Sequence, residues 1–191
     1  ETRDSDPAGI LAYYRDTGEV YEKIAALPQP TLSAISGYCL GGGFELALAT
    51  DFRIADATAV FGLPEVALGI IPSSGGTHRL ARLIGPGRAK ELILLRSRID
   101  AKEAQRLGVV TEMVEKGKAL ARARELAADL AELPPLAVMV AKQATDRMAD
   151  SSREAGILIE RLAYGMLAET DDAQEAAKAF LEKRPPRFKG R

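Results

Sequence analysis

The sequence predicts an α/β fold in its first part and a C-terminal part made almost entirely of helices. In the first part, short apolar runs with β-branched residues stand between prolines and glycines, a pattern typical of buried strands. In the last part, apolar residues recur at the three- and four-residue spacing of amphipathic helices. The 47% hydrophobic and 28% charged residues suffice for a core and a polar surface, so we expect a folded chain.

Composition and charge also exclude several classes of protein. The 191 residues carry 26 basic and 27 acidic side chains, and a net charge of −1 gives no basic surface for nucleic acid. One cysteine and one histidine exclude an internal disulfide and a multi-histidine metal site, and argue against a Ser-His-Asp triad. We expect Cys39 to be a small buried apolar residue and His78 to have a surface or capping role. No apolar run reaches the ~18 residues of a membrane span, and the opening residues show no secretion signal.

The elements of the first part follow from apolar spacing and from proline and glycine punctuation. Pro28 and Pro30 end the first predicted helix, and Ser73 or Ser74 is the expected N-cap of the third. In chain order the prediction is a helix at Gly9–Leu27, a strand at Thr31–Ser36, a glycine turn, a helix at Phe44–Thr50, strands at Asp51–Ala55 and Ala59–Phe61, and a helix at Thr77–Leu83.

The remaining chain is predicted to be mostly helical. Asp100 is the expected N-cap of a short helix that ends at Gly108, before the apolar stretch Val109–Val114. Only about four short strands are visible, which is few for a sheet that must anchor so many helices. Either further strands are cryptic, or the chain starts partway into a larger fold. The other predicted helices are Gly87–Leu95, Lys118–Leu133, Pro135–Met148, Ser152–Glu169 and Ala173–Lys183.

The glycine triplet Gly41–Gly43 lies between a predicted strand and a predicted helix that carries Glu45 in its first turn. Three glycines allow positive φ angles and a close approach of the backbone to a ligand. Free N–H groups at this point favour an anion, or an oxyanion that forms during a reaction. A tight turn needed only for packing is the alternative, and spacing alone does not separate the two. The triplet fits neither G-x-G-x-x-G nor the P-loop, which excludes nucleotide binding by those motifs.

Two glutamates with apolar neighbours are candidates for an acid/base pair. Burial among such neighbours would raise the pKa of Glu65, and Glu45 has a similar setting. Each glutamate taken alone is more often a solvated surface residue, so it is the pair that indicates chemistry. The apolar neighbours are Phe61, Leu63, Val66 and Leu68 for Glu65, and Phe44, Leu46 and Leu48 for Glu45.

Three segments together resemble the crotonase superfamily, and in particular its enoyl-CoA hydratases. They are SGYCLGGGFELALATDFRIA, FGLPEVALGIIPSSGGTHRLARLIG and AFLEKRPPRFKG, and the likeness extends over nearly the whole chain. Family members are usually longer at the N-terminus, so this chain resembles the later two-thirds of one. That agrees with the small number of visible strands.

The resemblance implies a fold, a substrate class and an assembly. The fold would be a spiral of β-β-α units over residues 1–130, followed by a helical C-terminal region over 131–191 used in trimerisation. Substrates would be acyl-CoA thioesters, with no cofactor because coenzyme A is part of the substrate, and with no metal, nucleic acid or membrane partner. We expect a homotrimer or a dimer of trimers located in the cytoplasm, or in mitochondria if the source is eukaryotic. The apolar positions expected in the subunit interface are Leu158, Leu162, Met166 and Leu167.

The resemblance also implies roles for individual residues. Two backbone amides would hold the thioester oxygen, one of them matching Gly42 and the other belonging to an N-terminal segment not present in this sequence. Glu45 would deprotonate a water that attacks Cβ, and Glu65 would deliver a proton to Cα. Ser73 and Ser74 stand where relatives often have glycine or alanine. The positions that match substrate-binding residues are Leu40, Gly41, Phe44, Pro64, Ile70, Ser73, Phe180 and Lys183, the last two in a tail that contacts the CoA of an adjacent subunit.

The resemblance implies hydration of a trans-2-enoyl-CoA and leaves other functions open. The RPPRFKG ending is similar to that of methylglutaconyl-type hydratases, which act on branched substrates. Isomerisation, thioester hydrolysis and C–C cleavage are other crotonase reactions, although isomerases typically keep only one of the two glutamates. A non-catalytic binding module, for RNA in some relatives, is disfavoured here by the neutral charge.

Overall fold

The computed structural model describes residues 6–148 and 150–191, without the side chains of Ile10, Tyr13 and Tyr14. Ile10 and Tyr14, two positions of the predicted pattern of the first helix, therefore lie outside the described side chains. The chain divides into two compact units. Of the described residues, the first unit comprises those up to Leu27 with Thr31–Arg124, and the second comprises Pro28–Pro30 with those from Glu125 to Arg191. The division falls inside a continuous helix, and the boundary at residue 130 that the resemblance implies stays a prediction.

The first unit alternates short strands with helices. Helix α1 begins at a proline and is capped by Asp6, whose carboxylate accepts a hydrogen bond from the N–H of Gly9. The elements are α1 (Pro7–Ala25), β1 (Leu32–Ile35), β2 (Tyr38–Leu40), α2 (Gly42–Leu48), β3 (Phe52–Asp56), β4 (Val60–Gly62), a 3-10 helix (Glu65–Leu68), α3 (Gly76–Leu94), β5 (Ile99–Asp100), α4 (Ala101–Arg106), β6 (Glu112–Val114) and the start of α5 (Ala119–Ala131).

Pairs of strands followed by a helix repeat along the first unit. The first repeat is β1–β2–α2 and the second is β3–β4–α3. The first strand of each repeat joins a sheet of order β1–β3–β6, and the second joins a sheet of order β2–β4–β5. All pairings are parallel except that of β4 with β5. Successive repeats therefore add strands to the same two sheets, which confirms the predicted spiral of β-β-α units.

The core of the first unit holds α2 and α3 against these sheets. The rings of Phe44 on α2 and Phe61 on β4 lie 5.4 Å apart between centroids, and both side chains are fully buried. Burial of each such side chain contributes about 1.5–3 kcal/mol to stability. The first turn of α2 is thereby fixed relative to the end of β4. The other large, fully buried apolar side chains are Ile54, Leu63, Leu80 and Val109.

The sequence missed strands β2 and β5. The chain turns at Gly37, whose φ is 67°, and the next three residues pair with β4 instead of forming part of a glycine turn. β5 has only two residues, too few for any periodicity to show. Short strands of this kind are fixed by their pairing partners, so the explanation of the missing strands as cryptic is partly correct.

Two predictions about helix termini have different outcomes. Ser73 or Ser74 as an N-cap is wrong: the N-cap of α3 is Gly75, with φ 95° and no side-chain cap. Asp100 as a cap is confirmed, since its carboxylate accepts a hydrogen bond from the N–H of Glu103. The two helices predicted around residue 85 form α3, which is kinked where Gly85 adopts φ 80° before Pro86.

The second unit is helical, as predicted. It contains the end of α5 and helices α6 (Pro135–Met148), α7 (Arg153–Ala168) and α8 (Asp171–Glu182). The C-terminal tail is fastened to α8 because the buried Asp172 carboxylate accepts hydrogen bonds from the N–H groups of Lys189 and Gly190. Within the described ranges, none of the helices has the length and apolar character needed to cross a membrane.

Candidate active site

Glu45 is a buried carboxylate held by the turn that precedes α3. It lies in the first turn of α2 and is only 4% exposed. Its Oε1 accepts hydrogen bonds from the N–H of Ser74 at 2.8 Å and from the N–H of Gly76 at 2.9 Å. Among the described residues, none donates a hydrogen bond to Oε2. One oxygen is therefore fixed, and the other can accept a proton.

Gly76 packs directly against the Glu45 side chain. A Cβ atom at Gly76 would lie 2.8 Å from Oε1 and 2.9 Å from Cγ of Glu45, and also 2.9 Å from Cβ of Pro72. These distances are shorter than van der Waals contact, so only glycine fits. The role of this turn is not apparent from the sequence, where the two serines resemble caps of the following helix. The pair Gly75–Gly76 was the available signal.

Glu65 is a carboxyl group in an unusual setting. It begins the 3-10 helix, and both of its side-chain oxygens are buried without a hydrogen-bond partner in the described chain. Burial raises the pKa of Glu65 above its ordinary value, and the nearby negative charge of Glu45 raises it further. The predicted direction of the shift is confirmed. The predicted neighbour Leu68 is exposed, however, and does not contribute.

The raised pKa predicts how Glu65→Gln affects stability. The folded state binds the Glu65 proton more tightly than the unfolded chain does, so protonation of Glu65 stabilises the wild type. This stabilisation is complete below the unfolded pKa of about 4.3 and is lost as the pH rises through the folded pKa. Glutamine does not titrate. The free energy of unfolding of Glu65→Gln minus that of wild type should therefore increase between pH 4 and pH 8, measured by urea denaturation. A difference that stays constant over this range would contradict the raised pKa.

Gly41 connects the two carboxyl groups. Its carbonyl oxygen accepts the N–H of Glu45 at 2.9 Å, and a Cβ atom built on it would lie 3.2 Å from Oε1 of Glu65. Its N–H donates to the carbonyl of Gly62 at 3.0 Å, which fixes the end of β2 against β4. With φ at 54°, the position strongly favours glycine. The backbone at Gly41 therefore lies beside both glutamates.

Gly42 is the first residue of α2 and is exposed. The N–H of a first helical residue has no carbonyl one turn earlier to bind, so it can donate to a ligand. Its carbonyl oxygen accepts a hydrogen bond from the Tyr21 hydroxyl on α1 at 3.2 Å. The contact of Tyr21 is not predictable from the sequence, since nothing in the local pattern links positions so far apart in the chain.

The other predicted substrate-binding residues are placed in different ways. Leu40 and Pro64 are half-buried next to Gly41 and Glu65, whereas Ile70 and Ser73 are exposed. Phe44 has its side chain in the core, where it packs against Phe61, so only its backbone could reach a substrate. Two residues belong to the second unit, where both are exposed on or at the end of α8: Phe180 and Lys183. Substrate contacts at all these positions remain predictions.

Cys39 and His78 are not candidate catalytic groups of this site. Burial raises the pKa of the Cys39 thiol to about 11, which keeps it protonated and unreactive at neutral pH. His78 is exposed on α3. The candidate groups for chemistry at this site are therefore Glu45, Glu65 and the backbone N–H groups beside them.

The chain belongs to the enoyl-CoA hydratase/isomerase family, whose sequence model matches residues 11–191. It is 43% identical over 190 residues to a protein of Arabidopsis thaliana named "Probable enoyl-CoA hydratase 2, mitochondrial", covering 100% of this chain and 63% of that protein. It is 41% identical over 166 residues to the short-chain-enoyl-CoA hydratase of Clostridium acetobutylicum, covering 87% and 64%. A crystal structure of an enoyl-CoA hydratase from Bacillus anthracis superimposes with a TM-score of 0.96 at 41% identity, covering 100% of this chain and 74% of that one.

The chain thus spans less than two-thirds of the length of the first two relatives. Similarity to the solved structure extends over the whole chain, and it agrees with the α/β spiral and the helical C-terminal part described above. The comparisons therefore establish the fold and the family of this chain.

Proposed function

We propose that the complete protein is an enoyl-CoA hydratase, which adds water across the 2,3 double bond of a trans-2-enoyl-CoA. The observation that carries the proposal is that two glutamates in different environments, Glu45 and Glu65, lie beside Gly41. Glu45 has one oxygen fixed by two N–H groups and one available, and Glu65 has a raised pKa. A pair of carboxyl groups in different environments suits one base and one acid.

In the proposed mechanism, the N–H of Gly42 donates to the thioester oxygen of the substrate. Such a donor stabilises negative charge as the carbonyl becomes an enolate, and a second amide would come from a segment outside this chain. Glu45 takes a proton from water through Oε2, and the water oxygen forms a bond to Cβ. Glu65 gives its proton to Cα, and the carbonyl re-forms. The net reaction adds one water. Glu45 then releases its proton to solvent, and Glu65 takes up a proton from solvent.

The test is to measure the loss of conjugated-thioester absorbance with crotonyl-CoA and longer or branched trans-2-enoyl-CoAs. We expect saturable hydration to the 3-hydroxyacyl-CoA, and the substrate with the highest kcat/KM would define the acyl class. Turnover of Δ3-enoyl-CoAs to Δ2 isomers without hydration would favour an isomerase. Release of free CoA would favour a hydrolase. Binding without turnover of any of them would favour a binding protein.

We also propose that the chain assembles as a homotrimer or a dimer of trimers through α7. Apolar side chains recur there at four-residue spacing, and Leu158, Leu162 and Met166 are 58%, 66% and 61% exposed. Leu167, the fourth predicted position, is half-buried. A contiguous apolar face of this kind is typical of an interface.

Replacing the central apolar residue of this face should weaken the assembly. We expect wild type at micromolar concentration to scatter light as a trimer or hexamer, and Leu162→Asp to shift it towards smaller species. Leu120→Asp provides a matched control, since Leu120 is similarly exposed but lies on α5. A monomeric wild type, or equal effects of both substitutions, would contradict the proposed interface.

A further inference from the structure

We propose that Arg79 is a positioning residue for Glu45, acting through the turn formed by residues 73–76. The inference rests on the proposed function only where catalytic turnover is its readout. Arg79 lies in the first turn of α3, and its side chain is 15% exposed. It makes no hydrogen bond or ion pair with either glutamate of the site, and it binds instead the backbone that holds Glu45 and the carboxylate of Glu22 on α1.

The Arg79 guanidinium binds the middle of this turn. Its Nη1 donates to the carbonyl oxygen of Ser74 at 2.9 Å. The two N–H groups that bind Glu45 Oε1 belong to the peptide groups 73–74 and 75–76. The Ser74 carbonyl belongs to the peptide group 74–75, which lies between them. Because neighbouring peptide planes share a Cα atom, fixing the middle plane restricts both N–H donors. Arg79 therefore determines the direction in which the Glu45 carboxylate is held.

The turn requires such a restraint because of its composition. Gly75 adopts φ 95°, and a glycine pair has more backbone freedom than any other pair of residues. A Cβ atom at Gly75 would overlap the Arg79 guanidinium, so the side chain lies directly on the glycine backbone. The N–H of Arg79 also donates to the Gly75 carbonyl oxygen at 2.8 Å. The side chain and the backbone N–H of one residue thus hold the carbonyl groups of the two peptide planes that meet at Gly75.

The guanidinium is itself held by helix α1. Its Nη2 donates to Oε1 of Glu22 at 2.6 Å, which leaves Nη1 directed at Ser74. Glu22 is mostly exposed, and an exposed ion pair contributes little energy. We therefore expect Glu22 to orient Arg79, while the bond to the Ser74 carbonyl carries most of the effect.

The test compares Arg79→Met, which keeps the unbranched apolar stem and removes the donors, with Arg79→Lys, which keeps the charge and one donor group. In the complete protein, Arg79→Met should lower kcat with crotonyl-CoA by about 10- to 100-fold and change KM less than threefold, since a misplaced catalytic group affects the rate of the chemical step. Arg79→Lys should recover part of kcat. Amide hydrogen exchange at Ser74 and Gly76 should become faster in Arg79→Met.

Two substitutions serve as controls. Arg88→Met removes an arginine on the same helix that pairs with Glu91, and should change neither kcat nor the exchange of the two amides. Glu22→Gln should lower kcat less than Arg79→Met does. Thermal denaturation checks that each variant is folded, and Arg79→Lys replaces Arg79→Met if the latter is unfolded.

The outcomes separate this inference from the proposed function. An active wild type, together with Arg79→Met and Arg79→Lys variants that retain kcat within twofold and unchanged amide exchange, would overturn the role of Arg79 and leave the hydratase proposal intact. A wild type inactive on every enoyl-CoA would contradict the hydratase proposal. In that case exchange decides alone: faster exchange at Ser74 and Gly76 in Arg79→Met, but not in Arg88→Met, supports the positioning role, and equal rates refute it.

Discussion

Glu45→Gln and Glu65→Gln, each made alone, are expected to lower kcat with a trans-2-enoyl-CoA by about 10²–10⁴-fold, the usual contribution of a positioned acid or base. Glutamine at position 45 keeps Oε1 as the acceptor for Ser74 and Gly76 and replaces only the proton-accepting Oε2 by an NH₂ group. Glutamine at position 65 keeps the volume and removes the transferable proton. Folding and binding of the CoA thioester should therefore survive. The kcat and KM values of each variant, measured with the absorbance assay, check this prediction.

The control for these variants is Glu91→Gln, which removes an exposed carboxylate on α3 and should leave kcat unchanged. The double variant Glu45→Gln/Glu65→Gln should be far less impaired than the product of the two single effects, because both groups act in one transition state. Near-wild-type rates for both single variants would mean that the glutamates are structural. Loss of Δ3-enoyl-CoA isomerisation in Glu65→Gln alone, with full activity in Glu45→Gln, would identify an isomerase.

The features that could be predicted from the sequence are those encoded locally. The positions of Glu45 in a first helical turn and of Glu65 among buried apolar residues follow from the residues on either side of them. The helical C-terminal part follows from apolar spacing, and the Asp100 cap from a single residue in its context. The raised pKa of Glu65 could be predicted because two of its near neighbours in sequence, Phe61 and Leu63, are also fully buried in the fold.

The features that sequence analysis missed depend on contacts between distant positions. Ser74 and Gly76 donate to Glu45 across 29 and 31 positions of the chain, and Arg79 reaches Glu22 across 57. Local patterns carry no information about such pairs. The Ser73–Gly76 stretch has serines followed by glycines and a helix, and this local pattern favours a serine N-cap. In the fold, however, the N–H groups of this turn are used to bind a carboxylate.

This use of the turn gives the second large expected effect, that of Gly76→Ala. Alanine usually stabilises a helix relative to glycine by roughly 0.5–1 kcal/mol. At Gly76 the added Cβ would instead overlap Cγ and Oε1 of Glu45 and the rigid ring of Pro72. Glu45 must rotate or the turn must move, and overpacking of this kind costs about 1–3 kcal/mol of stability. A shift of the carboxylate by about 1 Å should also lower kcat by roughly 10²-fold.

Gly87→Ala is the matched control, since Gly87 lies on the same helix and a Cβ atom there meets no atom within 4 Å. It should leave kcat unchanged, and its Tm should be equal to that of wild type or slightly higher. Gly76→Ala should lower both quantities, measured by thermal denaturation and by the absorbance assay. If Gly76→Ala behaves like Gly87→Ala in both measurements, Glu45 is not held at this turn, and the base in the proposed reaction must be sought elsewhere. If it loses stability but keeps kcat, the turn supports the fold and does not direct the carboxylate.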